Sequence, residues 1–99
     1  MIAVKVHRSY RSVVALSDID LIGKRFEEGK RQIHITESFF KGESLSHEEA
    51  VEFMRKEARE DSTFNIVGPK AVKAALEAGI IQKEGIMRIQ GVPLALVLC

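Results

Sequence analysis

The stretch that decides the fold runs Thr63-Phe64-Asn65-Ile66-Val67-Gly68-Pro69-Lys70-Ala71-Val72-Lys73-Ala74-Ala75-Leu76-Glu77-Ala78-Gly79. Its first five residues are β-prone and mostly apolar, which reads as a strand. Gly68 breaks that strand, and Pro69 brings the fixed φ of a first helical residue. The helix that follows turns Val72, Ala75 and Leu76 inward and stops at Gly79, whose lack of a side chain permits a left-handed exit. A strand feeding directly into an amphipathic helix places the chain in the mixed α/β class.

Working outward, the same alternation of signals recurs. Upstream, Ser46 and Glu49 form a capping box with Leu45 and Ala50 in the staple positions, so a second long helix starts at residue 47. Ala50, Val51, Met54 and Ala58 line its inner face with Phe53 at the edge, while Glu48, Glu52, Arg55, Lys56 and Arg59 are left for water. At the amino end, Ile2, Val4 and Val6 alternate with Ala3, Lys5 and His7. After the polar run Arg8-Ser9-Tyr10-Arg11-Ser12, the segment Val13 to Leu16 resumes, and the pair predicts a hairpin with a solvated tip.

Between these elements, Ser17 or Asp18 caps a short helix carrying Ile19, Ile22 and Phe26, with Gly29 as its stop. Gly23 inside it costs about 1 kcal/mol of helix propensity, which favours a single turn followed by irregular chain. Ile33 and Ile35 flank His34 in a third strand pattern that continues into Ser38-Phe39-Phe40. The segment Glu37 to Ser46 has the weakest periodicity and reads as a mobile loop. Downstream, Ile86 to Ile89 and Leu94 to Leu98 are β-rich, with Gly91-Val92-Pro93 as the bend between them. Leu94 to Leu98 is apolar throughout, the pattern of a central strand covered on both sides. The expectation is one compact α/β (α+β) domain over residues 1–99, with a mixed, largely antiparallel sheet, two main helices and one short helix.

Composition narrows the setting. Of the 99 residues 45% are hydrophobic and 29% charged, which is globular rather than disordered. Met1 to Val6 lacks the pattern of an export signal, and no apolar run approaches the ~20 residues of a membrane span. Cys99 is the lone cysteine, so an internal disulfide has no partner and a cysteine-based zinc site no second thiolate. A soluble cytoplasmic protein is expected.

The net charge of +1 is unevenly spread. Residues 1–16 carry three basic groups and no acidic one, 37–62 carry eight acidic against four basic, and 63–99 carry four basic against two acidic. An anionic partner would meet the hairpin or the last third, and the middle helix would repel it.

Several of these runs together resemble a known family: Val4-Lys5-Val6-His7-Arg8-Ser9-Tyr10-Arg11, Gly23-Lys24-Arg25-Phe26-Glu27-Glu28-Gly29, Glu37-Ser38-Phe39-Phe40-Lys41-Gly42, Phe64-Asn65-Ile66-Val67-Gly68 and Ile89-Gln90-Gly91-Val92-Pro93. They are similar to the uncharacterised archaeal family called domain of unknown function 424, across essentially the whole chain. The resemblance implies a free-standing archaeal protein of about this length, and tilts the setting toward translation. It carries over no catalytic or binding residues.

Two readings of the chemistry follow. In the first, Lys5, His7, Arg8, Tyr10 and Arg11 form a nucleic-acid-binding strip in which guanidinium groups grip phosphate and the phenol stacks on a base, with support from Lys70, Lys73 and Arg88. The protein is then a non-enzymatic module for RNA or a ribonucleoprotein. In the second, Asn65, Gly68, Lys70 and Lys73 form an anion or ligand pocket on free amides of the helix start, with His7 or His34 handling a proton. That pocket lacks the spacing of a dinucleotide or P-loop fingerprint. Phe39 or Phe40 could alternatively serve a protein contact. His7, His34 and His47 lie on three elements without metal-ligand spacing, so neither a metal nor a cofactor is expected.

Overall fold

The computed structural model describes residues 1–98, and Cys99 lies outside the described residues. Strands β1 (Ile2–His7) and β2 (Val13–Asp18) form the expected hairpin, in register from Ile2 opposite Asp18 to His7 opposite Val13. β6 (Thr63–Val67) pairs parallel with β2, and β8 (Val92–Val97) pairs antiparallel with β6. Two short edge strands, β5 (Glu43–Leu45) and β7 (Met87–Ile89), complete a six-stranded sheet in the order β5-β1-β2-β6-β8-β7. β2 with β6 is its one parallel pairing, so the sheet is mixed and mostly antiparallel.

Alternation along the strands sends residues to two cores. Ile2, Val4, Val14, Leu16, Phe64 and Ile66 meet helices α2 (His47–Arg59) and α3 (Pro69–Ala78) on one face. Ala15, Val67, Ile89 and Leu94 face the other way, under a separate hairpin of β3 (Arg25–Glu28) and β4 (Arg31–His34) and the short helix α1 (Glu37–Phe40). The molecule is thus a sheet between two layers, α/β as the sequence predicted, with two main helices and one short one.

The capping box forms as read: the Ser46 hydroxyl accepts from the Glu49 amide, and the Glu49 carboxylate accepts from the Ser46 amide. The inner face of α2 differs by one position from the expected one. Glu57 is buried and Ala58 exposed, because the stripe from Ala50 through Met54 continues at the i+3 spacing.

Several expectations are revised. The segment after Asp18 forms only a 3₁₀ turn, Ile19–Leu21, and the rest becomes the β3–β4 hairpin. Ile22 and Phe26 point toward the second core from irregular and extended chain rather than from one helix, and Ile19 is left 40% exposed. The third strand stops at His34, since the Thr36 hydroxyl accepts from the Phe39 amide and starts α1. Phe39 and Phe40 therefore sit on one helical turn against the same core instead of on opposite faces of a strand, and residues 37–45 are helix and edge strand rather than a loop. Finally, the last strand does lie inside the sheet, between β6 and β7, but it is not covered on both sides along its whole length. β7 pairs with β8 only as far as Leu94, leaving Leu96 51% and Leu98 78% exposed. The turn before it uses Gln90 and Gly91, both at positive φ as a two-residue hairpin turn requires, while Val92 and Pro93 already belong to the strand.

The join of β2 to α3 fixes the layers to each other. Asp18, 2% exposed, accepts from the Lys70 amide at 3.1 Å and from the Ala71 amide at 2.8 Å. Its carboxylate satisfies two donors that the helix itself cannot and meets the positive end of the dipole. Gly68 stands beside it at φ 108°, and a Cβ there would strike the Asp18 side chain. Asp18→Ala is expected to lower the free energy of unfolding by about 2–4 kcal/mol, since two charge-assisted bonds in a buried setting are lost. Gly68→Ala is expected to cost about 2 kcal/mol through strain and collision. Urea denaturation checks both, and a change below about 0.5 kcal/mol for Asp18→Ala would contradict this assignment.

Candidate functional site

The hairpin tip is less available than its sequence implied. Lys5 donates from Nζ to the Ser38 carbonyl at 2.8 Å. The His7 ring stacks on Phe39 at a centroid distance of 4.6 Å, and its Nε2 lies 2.9 Å from the Phe39 carbonyl, to which it donates. Both side chains therefore pin β1 to α1. Arg8 donates to the Ser12 hydroxyl at 3.1 Å and pairs with Glu57 at 3.5 Å. Glu57 is itself held by the Ser62 hydroxyl at 2.9 Å.

An open cavity of about 470 Å³ separates the tip from the end of α2, lined by Arg8, Tyr10, Arg11, Ser12, Lys56, Glu57, Glu60 and Asp61. Three carboxylates share it with three cations. The strip of Lys5, His7, Arg8, Tyr10 and Arg11 is thus not the unopposed positive surface that its local charge described. Glu57 of α2, 49 residues away from Arg8 in sequence, folds against it together with Glu60 and Asp61, which follow the helix. Tyr10 alone keeps the expected character, fully exposed at the tip.

The second predicted pocket is closed at its centre. The amides of Lys70 and Ala71, which an anion would have used, are taken by Asp18. Asn65 shares a strand face with Val67 and so points to the layer opposite α3. It is half-buried, and no side-chain hydrogen bond to it is found among the described residues. His7 is engaged with Phe39 on that same opposite face, His34 lies beside Arg25 at 3.3 Å on the outer hairpin, and His47 pairs with Glu77 at 3.2 Å. Asn65, the histidines and the α3 start do not converge, which removes that pocket. Among the described residues no three His, Cys, Asp or Glu side chains form a metal-binding group. No helix there is long and apolar enough to cross a membrane.

What the fold does bring together is a groove of about 500 Å³ between α3 and the β7 edge, lined by Pro69, Val72, Lys73, Leu76, Lys83, Ile86, Arg88 and Pro93. Lys73 stands on the exposed side of α3. Lys83 comes from the 3₁₀ turn Lys83–Gly85, and Arg88 from β7 opposite Pro93. No carboxylate lines the groove, and none of the three cations makes an ion pair among the described residues. Lys70 lies one turn before Lys73 on the same helix. Of the residues singled out from sequence, Lys73 and Arg88 belong here. Lys83 was missed, although the excess of basic residues after residue 63 was its signal.

The groove and the hairpin tip cannot share a short ligand. β2 begins at the tip, and its last residue, Asp18, touches the start of α3. Five strand steps of about 3.3 Å therefore set the two regions roughly 17 Å apart.

A family model described as a protein of unknown function (DUF424) matches residues 7–99, and the chain belongs to that family. A crystal structure of an uncharacterized conserved protein from Methanopyrus kandleri has the same fold. It is 26% identical, with a TM-score of 0.87 over 97% of this chain and 89% of that one. Comparison with curated proteins finds no match.

The ion pair at the tip is testable on its own. Arg8→Ala is expected to destabilise the fold by about 1–2 kcal/mol, because buried Glu57 loses its cation, and this cost should largely vanish in a Glu57→Gln background. A double-mutant cycle by urea denaturation measures it. Additive effects would mean that the two groups act independently.

Proposed function

We propose that this protein is a non-enzymatic RNA-binding module, and that it takes hold of RNA through the groove of Lys73, Lys83 and Arg88 rather than through the amino-terminal hairpin. The observation that carries this reading is the lining itself: three cations from three elements converge on one concavity without a carboxylate among them. Unopposed positive charge in a concave, partly apolar wall concentrates a polyanion and releases its counterions. At the hairpin, by contrast, Glu57, Glu60 and Asp61 offset the arginines, so an approaching phosphate gains little there.

The reading is of binding rather than catalysis: the groove offers cations and apolar surface, with no carboxylate, imidazole or thiol in its lining to act beside Lys73 and Lys83 as a partner acid or base. A ribonucleoprotein, such as those of the translation apparatus in the cytoplasm, is the kind of partner whose exposed phosphates fit this surface.

Fluorescence anisotropy with a labelled single-stranded RNA tests the reading. Replacing Lys73, Lys83 and Arg88 together by Ala should weaken binding at least tenfold at low salt and flatten the slope of log affinity against log salt by about 2, the share of three phosphate contacts. Replacing Arg8 and Arg11 by Ala should change affinity less than about twofold, given their carboxylate surroundings. The opposite ranking, or no binding by the wild type at low salt, contradicts the proposal.

A further inference from the structure

The groove has a floor as well as a rim, and the two are chemically different. Lys73, Lys83 and Arg88 supply charge, whereas Val72, Leu76 and Ile86 supply apolar surface flanked by Pro69 and Pro93. A purely electrostatic footprint needs only the first set. Duplex RNA displays its phosphates outward and keeps its bases stacked inside, so it could engage the rim but would leave the floor wet. An unpaired nucleotide can use both, laying base and ribose on the floor while its flanking phosphates meet the cations.

Size agrees with one such unit. About 500 Å³ falls within the range of small-molecule pockets, which is the scale of one such unit. No aromatic side chain lines it, so the base is held by van der Waals contact rather than by stacking. The polar side chains in the lining are all cationic donors, which suits bases that present acceptor edges, such as uracil or guanine.

From this we infer that the groove seats a single unpaired nucleotide of single-stranded RNA, with its base on Val72, Leu76 and Ile86 and its phosphates on Lys73, Lys83 and Arg88. The inference rests on the RNA-binding reading above and specifies its ligand. An acidic peptide would satisfy the rim as well, but a flat heterocycle between two phosphates matches an apolar floor placed between cations more closely than carboxylates on flexible stems do.

The test compares a labelled oligouridylate with a duplex of equal phosphate count, using the full chain. The single strand should bind about tenfold more tightly at physiological salt, the gain from burying one base on apolar surface. Ile86→Ala should lower single-strand affinity about three- to fivefold, with no change for the duplex and no change in salt slope. The comparison of the two wild-type ligands needs no variant, so it stands even if Ile86→Ala unfolds. Equal affinity for duplex and single strand, both dependent on the three cations, would overturn this inference and leave the RNA-binding reading intact. Absence of binding to either RNA would overturn both. Displacement of the single strand by polyglutamate of equal charge, as effectively as by unlabelled RNA, would assign the groove to acidic peptides instead.

Discussion

The carboxylate of Asp18 is the contact on which the rest of this structure depends. It closes the last residue of β2 onto the first turn of α3, across 52 positions of sequence. In doing so it satisfies amides that would otherwise be orphaned, and it sets the helix against the sheet at a fixed height. Gly68 has to be glycine because that closure leaves no space for a side chain. The position of α3 in turn places Lys73 and Leu76 opposite Ile86 and Arg88, so the groove is a consequence of the same contact. The bond also occupies the helix start, the place where a strand–glycine–helix junction usually receives an external anion.

Charge is organised by surface rather than by segment. The first sixteen residues are purely basic in sequence, yet in space they face Glu57, Glu60 and Asp61. Glu57 is drawn inward by the apolar stripe of α2 and is kept there by Ser62 and Arg8. The carboxy-terminal third has a smaller excess of positive charge, but Lys73, Lys83 and Arg88 line a groove without a carboxylate in its lining and make no ion pair among the described residues. Glu77, the nearest acidic residue on α3, is turned toward α2 and pairs with His47.

How much of this the sequence disclosed follows from the range of each interaction. Local signals were sufficient where the physics is local: the capping box at Ser46, Pro69 at a helix start, the left-handed exit at Gly79 and the β1–β2 alternation all appear as read. The segment 19–29 misled because Ile19, Ile22 and Phe26 have helical spacing, whereas positive φ at Gly23 and Gly29 lets the chain reach the second core from a turn and a hairpin. Asp18 resembled a cap for the residues that follow it, and only the parallel pairing of β2 with β6 carries it to a distant helix. The Arg8–Glu57 pair and the groove are likewise built from residues far apart in the chain, beyond the reach of spacing rules. Composition did register the groove, as the surplus of basic residues after residue 63, without showing that Lys73, Lys83 and Arg88 would meet.

The proposed place of RNA binding is therefore the point at which disproof is most direct. Titrating single-stranded RNA into isotopically labelled protein and following backbone amide resonances should shift residues 72–76 and 83–88 first and most strongly, with residues 8–12 nearly still. Shifts centred on the Arg8 to Ser12 tip, with residues around Lys73 and Arg88 unmoved, would contradict it.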